Sequence, residues 1–374
     1  MIHRILHVVS AMNRGGAETL LMNIYRNIDR CKIQFDFVSH RIEMCDYDDE
    51  ITSLGGRIFR IPSLGQTSPL AYINELKKIM TQTKYTAVHS HTDYQSGFAA
   101  LAAKMAGIKK RICHSHSNNW ARGGGLKSRI TLKAMQTLIR YTATNYCACS
   151  LEAARFLFGS SLVDKGKTHV MKNGIEIYRF SNLEPDCQSS VKQELNIPSE
   201  SKIIGHVGSF SPSKNHAFLL KVLKQMTDEG KDMVMVLVGV GSLRSDVEAE
   251  ANKMGIYDRI RFLGMREDIP RLMKAFDVFL FPSIFEGFGI VTLEAQCSGT
   301  PCVVADTVPK FTDMGVGLIN FVSLNETFET WSRQINNALW LERPDHKIIM
   351  DKVIRRGFDI RQNIHEWLDI YGVS

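Results

Sequence analysis

Two glutamates eight residues apart, Glu286 and Glu294, bracket the run Gly287-Phe288-Gly289-Ile-Val-Thr-Leu. On one helix that spacing would place both carboxylates nearly on one face, but the paired glycines argue that Glu286 lies in a loop and Glu294 inside the helix that follows. A glycine loop at a helix N-terminus cradles phosphate, and a carboxylate about one turn in accepts hydrogen bonds from a ribose diol. Two glutamates on an amphipathic helix would be unremarkable alone; behind an apolar strand and a glycine loop they describe a nucleotide site. A second glycine pair stands in Asn13-Arg-Gly15-Gly16-Ala-Glu18, leading into an amphipathic helix at Thr19. It could serve as an anion site or simply as a tight turn. It is not a dinucleotide fingerprint, because GxGxxG is absent.

Two His-x-His pairs, His89/His91 and His114/His116, each close a strand, and a spacing of two puts both rings of a pair on one sheet face. Zinc would need further ligands and Asp93 is the only acid nearby, so the pairs are expected to form a polar rim without metal, His116 lying close to Gly123-Gly-Gly125. After that loop Lys127, Arg129, Lys133 and Arg140 alternate with Leu126, Ile130, Leu132, Met135 and Leu138. This is the pattern of a basic amphipathic helix for an anionic bilayer or a lipid phosphate. It equally describes a core-facing helix with a solvated basic rim.

The elements that must position these residues are short apolar, β-branched runs separated by helical stretches. They fall at Ile5–Val9, Phe35–Ser39, Arg57–Ile61, Ala87–His91, Arg111–His114, Asn145–Cys149 and Thr168–Met171 in the first half. In the second they fall at Lys202–Val207, Met233–Val238, Arg261–Leu263, Val278–Phe281, Pro301–Ala305 and Gly317–Val322. Runs apolar on both faces and alternating with helices predict buried parallel sheets, so the fold class is α/β with two doubly wound, Rossmann-like domains. The break falls near Asn173-Gly174. Ligands bind such sheets at the carboxyl ends of their strands, where the motifs stand. The segment from about Ile348 to Ile370 reads as one amphipathic helix able to cap either domain.

Composition sets the class. A chain of 374 residues with 44% hydrophobic and 23% charged residues is an ordinary globular protein, not a disordered, collagenous or coiled-coil chain. Residues 1–180 hold 25 Lys and Arg against 13 Asp and Glu, a net of +12, whereas 181–374 hold 21 against 26, a net of −5. Between Lys104 and Arg140 there are nine basic residues and no acid. That asymmetry predicts a polyanionic partner for the first half. Nucleic acid is not expected, since only Trp120 and Tyr141 offer stacking aromatics there. Eight scattered cysteines without a CxxC pair fit a reducing compartment. The N-terminus does not read as a signal peptide and no run reaches the length of a membrane span. The expected location is cytoplasmic, peripheral at the inner membrane face.

Together the start at Asn13–Glu18, Asn173-Gly174-Ile-Glu176, Lys214-Asn215, Val238-Gly-Val-Gly241, Phe262-Leu-Gly264, the Glu286-x7-Glu294 element and Gly299-Thr-Pro301 resemble the retaining glycosyltransferases of family 4, and within them the EpsF-type exopolysaccharide enzymes. The resemblance covers nearly the whole chain. It implies the GT-B fold, two Rossmann-like domains facing across a cleft: an acceptor domain over 1–180 joined by a returning helix at about 356–374, and a donor domain over 181–355. It implies sugar transfer with retention from a nucleotide-sugar, expected to be a UDP-sugar, to a lipid-linked or oligosaccharide acceptor, without metal or cofactor.

Under that resemblance Glu294 binds the ribose and Glu286 the donor sugar hydroxyls. Lys214 neutralises the diphosphate, and the backbone of Gly287, Phe288 and Gly289 holds phosphate. Gly15 and Gly16 face the donor phosphate, His116 lies on the acceptor side near the anomeric centre, and Arg266 meets the base. The basic residues Lys127, Arg129, Lys133 and Arg140 form the acceptor and membrane face. The family usually places an Arg five residues before the lysine; here Ser209 stands there, which opens a second reading, a catalytically silent GT-B partner in a polysaccharide-assembly complex. Asp46-Tyr-Asp48 precedes a helix, where carboxylates are favoured, and is not a metal motif.

Overall fold

The structure, a computed structural model, describes residues 2–117, 125–180, 183 and 186–373. The chain divides into two units, Met1–Ile175 with Gly357–Ser374, and Glu176–Arg356. Each is built on one all-parallel sheet.

The first sheet contains β1 (His3–Val9), β2 (Ile33–Ser39), β3 (Ile58–Arg60), β4 (Ala87–Ser90), β5 (Lys110–Ser115), β6 (Asn145–Ala148) and β7 (Thr168–Val170), in the order β3-β2-β1-β4-β5-β6-β7. The second contains β8 (Lys202–Val207), β9 (Met233–Val238), β10 (Ile260–Gly264), β11 (Val278–Phe281), β12 (Cys302–Ala305) and β13 (Ile319–Val322), in the order β10-β9-β8-β11-β12-β13. All thirteen apolar runs of the sequence are strands. Each sheet reverses its winding once, between β1 and β4 and between β8 and β11. Such a switch point is where open α/β sheets leave a crevice for ligand. The loops after β8 and β11 carry Lys214 and Glu286, and the ends of β1 and β4 carry His7 and the first histidine pair.

Alternation along β1 shows how the sheet is buried on both sides. Ile5 and Val9 pack with the helix Gly16–Asn27 and with Ile364, Trp367 and Tyr371, while Leu6 and Val8 pack on the opposite face with Tyr72, Leu76 and Ala99. The carboxyl-terminal segment is two helices, not one: His346–Arg355 belongs to the second unit and Ile360–Tyr371 to the first, with Gly357 at φ +76° between them. The chain enters the first unit through a parallel bridge, Ile175 N–H to Phe358 O at 2.9 Å and Ile360 N–H to Ile175 O at 3.1 Å. Gly174 is glycine for this reason, since a Cβ there would run into Asn363 and the Ile360 backbone. Among the described residues all eight cysteines are free thiols, Cys31 alone exposed, and no helix is long and apolar enough to cross a membrane.

Candidate functional site

In the second unit the chain leaves β8 at Val207, turns through Pro212–Lys214 and enters the helix His216–Asp228. Asn215 joins turn to helix in the left-handed conformation, φ +58°, which asparagine tolerates because its short amide bonds locally. That amide donates to Pro282 O at 3.2 Å, and Ile284 N–H donates to Ser213 O at 2.8 Å. The loops after β8 and β11 are thereby tied together, and their two charged residues meet: the Lys214 ammonium donates to Glu286 Oε1 in an ion pair whose side chains are only 18% and 11% exposed. The ammonium also lies 4.9 Å from the centre of the Phe281 ring. The glycines of the Val238-Gly-Val-Gly241 motif support the same loop from below. Gly239 has φ +142°, and a Cβ on it would strike the Gly208 carbonyl; one on Gly241 would strike the Phe210 backbone.

Gly287, Phe288 and Gly289 continue the loop after Glu286, and Gly289, at φ +79°, caps the helix Ile290–Cys297. Glu294 stands on the fifth residue of that helix, as the glycines indicated. Burial pushes its carboxyl up to about 7, against the pull of the Arg179 charge. Ser209 begins a line of hydroxyls, Ser209 Oγ to Ser211 Oγ and Ser211 Oγ to Ser213 Oγ, each at 3.1 Å, along the loop that ends in Lys214. Arg266 lies elsewhere in its contacts: its guanidinium is shared between Asp268 at 2.7 and 2.8 Å and Glu194 at 2.7 Å, in a network completed by Arg271. Those carboxylates engage the donors that a base contact would use.

In the first unit Gly15 precedes and Gly16 opens the helix Gly16–Asn27. Glu18 in its first turn has its carboxyl raised to about 7 by burial. Asp48 caps the fold locally, accepting Cys45 N–H at 2.8 Å and pairing with Arg60 at 2.6 Å. The histidines correct the sequence reading. They are not a polar rim: His7, His89 and His114 are fully buried, His91 nearly so, and only His116 is partly exposed. The rings contact one another, His7 Nδ1 to His91 Nε2 at 3.1 Å, His91 Nδ1 to His116 Nε2 at 2.9 Å, and His89 Nε2 to His114 Nδ1 at 3.2 Å. Tyr371 Oη reaches His89 Nδ1 at 2.8 Å, and the Trp367 ring packs beside His89 and His114. Burial lowers all five, His7 to about 3 and His116 to about 4, so the rings are neutral.

Asp93, at φ +47°, accepts the His116 main-chain N–H at 2.8 Å and fixes the loop after β5. His7 and Tyr371 were missed, and Asp93 was noted only as a nearby acid, because the contacts depend on strand order and on the returning helix. The one local signal was His7 alternating with apolar Leu6 and Val8. Two sets, His7/His89/His91 and His91/His114/His116, each bring one nitrogen per ring within 4.8 Å of one another. Among the described residues no carboxylate or thiolate joins either set, so an ion held by these rings alone would be an uncompensated buried charge.

The helix Leu126–Thr142 exists, with Arg129 and Lys133 exposed one turn apart beside Ile130, and with Tyr141 exposed under the Lys104 ammonium. The Lys127 side chain, Trp120, and Gly123 and Gly124 lie outside the described residues. Arg140 is exposed on the same helix, and its guanidinium donates to Phe158 O at 2.8 and 3.3 Å at the carboxyl end of the helix Leu151–Phe158.

Residues 14–179 match the model of Glycosyltransferase Family 4 and residues 188–349 that of Glycosyl transferases group 1. The chain is 41% identical, over 99% of its length and 97% of the relative's, to a protein of Bacillus subtilis (strain 168) that carries the glycosyltransferase name EpsF. It is 26% identical to the UDP-Gal:alpha-D-GlcNAc-diphosphoundecaprenol alpha-1,3-galactosyltransferase of Escherichia coli, over 70% of this chain and 68% of that one. In fold it is similar to HepE of Anabaena, solved in complex with UDP and glucose, at a TM-score of 0.77 and 22% identity over 98% of this chain and 99% of that one. The parallel sheets, their switch points and these matches agree: the chain is a glycosyltransferase of family 4, EpsF-type, with the two Rossmann-like domains of the GT-B fold.

Proposed function

We propose that the enzyme moves a sugar, with retention of anomeric configuration and without metal, from a UDP-sugar to a lipid-linked oligosaccharide in exopolysaccharide or capsule biosynthesis. The second unit holds the donor and the first unit the acceptor. One observation carries the reading: at the switch point of the second sheet an ammonium, Lys214, and a carboxylate, Glu286, are locked together, with Glu294 recessed in the helix that begins there.

When the donor binds, its diphosphate competes with Glu286 for Lys214, and the freed carboxylate accepts hydrogen bonds from sugar hydroxyls. The ribose diol donates to Glu294, and the N–H groups at Gly289–Ile290 meet phosphate oxygen. In transfer the bond from the anomeric carbon to phosphate oxygen breaks, the acceptor oxygen bonds to that carbon on the same face, and its proton passes to the departing diphosphate. The cation and helix terminus stabilise the charge that develops there. Ser209, Ser211 and Ser213 offer hydroxyl donors in place of the second cation that the family resemblance implies there. His116 serves on the acceptor side.

The similarity to the Escherichia coli galactosyltransferase that acts on a diphosphoundecaprenol sugar, and to HepE in complex with UDP and glucose, supports a UDP-sugar and a lipid diphosphate acceptor. The exposed pair Arg129 and Lys133 beside Ile130 is the proposed contact with an anionic inner membrane face, and the chain then works as a cytoplasmic, peripheral protein. The test is a screen of UDP-, GDP- and dTDP-sugars for thermal stabilisation and for diphosphate release with a lipid diphosphate acceptor. Stabilisation and release with a UDP-sugar are expected; silence with every donor overturns the reading.

A further inference from the structure

We infer that His91, backed by His7, is a positioning residue that fixes His116 in a single tautomer, with the proton on Nδ1. The inference rests on the reading that His116 meets the reactants. The three rings form one unbroken line, His7 Nδ1 to His91 Nε2 at 3.1 Å and His91 Nδ1 to His116 Nε2 at 2.9 Å. A neutral imidazole has one proton for two nitrogens, so each contact needs one N–H and one bare nitrogen, and all three rings must share a direction.

If the protons point inward, His7 carries its proton on Nε2. That nitrogen is buried and has no partner among the described residues. A buried N–H without an acceptor is the rarer and costlier orphan, so the line runs outward. His7 Nδ1–H donates to His91, His91 Nδ1–H donates to His116 Nε2, and Nδ1–H remains to His116. Burial keeps the rings neutral, which preserves the direction. Asp93 holds the backbone of the same residue through its N–H, so ring and main chain are fixed independently. A second line, Tyr371 Oη to His89 Nδ1 and His89 Nε2 to His114 Nδ1, ends inside the core at His114 Nε2 and touches His116 only by ring stacking at 4.2 Å. His116 therefore offers the reactants a donor, suited to a hydroxyl or phosphate oxygen, and not an acceptor.

Full-length protein labelled with 15N-histidine reads the tautomers directly, because protonated and bare ring nitrogens resonate apart; the signals lost in His116→Gln assign the residue. The parent is expected to show His116 protonated at Nδ1. In His91→Phe the His116 proton should redistribute toward Nε2, with kcat down about tenfold or more and UDP affinity unchanged. His91→Gln, whose amide can donate to the same nitrogen, should restore both, and Tyr371→Phe should leave the tautomer as it is. A parent with the proton on Nε2 overturns the inference, as does a His116 tautomer indifferent to His91→Phe. Stoichiometric Zn2+ bound through His91 and His116 overturns it too, since those nitrogens would then hold metal in place of a proton. Should His91→Phe fail to fold, the parent spectrum decides alone. The spectrum needs no turnover, so its failure is distinct from failure of the transfer reading, which would appear as expected tautomers with no active donor.

Discussion

Glu294 and Lys214 enter donor binding with opposite constraints. Lys214 already has a carboxylate partner, whereas the Glu294 carboxyl, raised by burial to about 7, is half protonated near neutrality. A ribose diol donates to the ionised form, so UDP affinity should rise with pH up to about 7 and level off above it. The gain approaches about tenfold per unit below 7. Calorimetric titration at several pH values should show this slope in the parent and not in Glu294→Gln. The same group acts on stability with the opposite sign: its folded value is raised, so its contribution is complete below about 4.5 and is lost as pH rises through 7.

His116→Ala is expected to lower kcat by about a hundredfold or more while UDP affinity stays within about twofold, which steady-state kinetics and titration separate. The Glu286, Glu294 and Lys214 positions were legible in the sequence because each is set by its own strand end, glycine and helix start. The histidine lines were not. They join β1, β4, β5 and the last helix, and no local spacing encodes that His7 pairs in register with His89.

The central strands β9, β11 and β12 were the most readable because they are buried along their whole length and apolar without interruption. The last two helices were not separable by pattern. Val353 and Ile360, both buried, stand seven residues apart and keep the helical phase across Gly357, so the periodicity runs through the break. The loops that carry the site depend on backbone contact more than on side chains. Gly239→Ala, which combines a φ of +142° with a Cβ pressed on the Gly208 carbonyl, should cost about 2 kcal/mol or more in denaturant unfolding. It should also weaken UDP binding, because the loop it displaces ends in Lys214.

At the scale of the molecule, the first unit is completed by a segment that arrives after the second. Trp367 and Tyr371 are buried in its core, and Trp367→Ala should cost about 3–5 kcal/mol in unfolding of that unit. Five neutral histidines make the unit acid-sensitive. Their folded values are lowered, so their stabilisation is present above about 6.5 and is lost as pH falls toward about 4. Asp93 and Glu18, raised to about 6 and about 7, oppose the trend but are outnumbered. Denaturant midpoints should fall with acidification over that window, and less steeply in His7→Phe.

The charge division of the sequence, +12 over residues 1–180 against −5 over 181–374, is the reason the proposed anionic surface contact is assigned to Arg129 and Lys133. Replacing Arg129 and Lys133 by glutamate should weaken binding to phosphatidylserine vesicles by about tenfold or more in flotation. The donor claim is tested most directly by titrating the parent, Lys214→Ala and Glu294→Ala with UDP. One equivalent should bind the parent, with each variant weaker by roughly ten- to a hundredfold; variants that bind UDP like the parent would contradict the account.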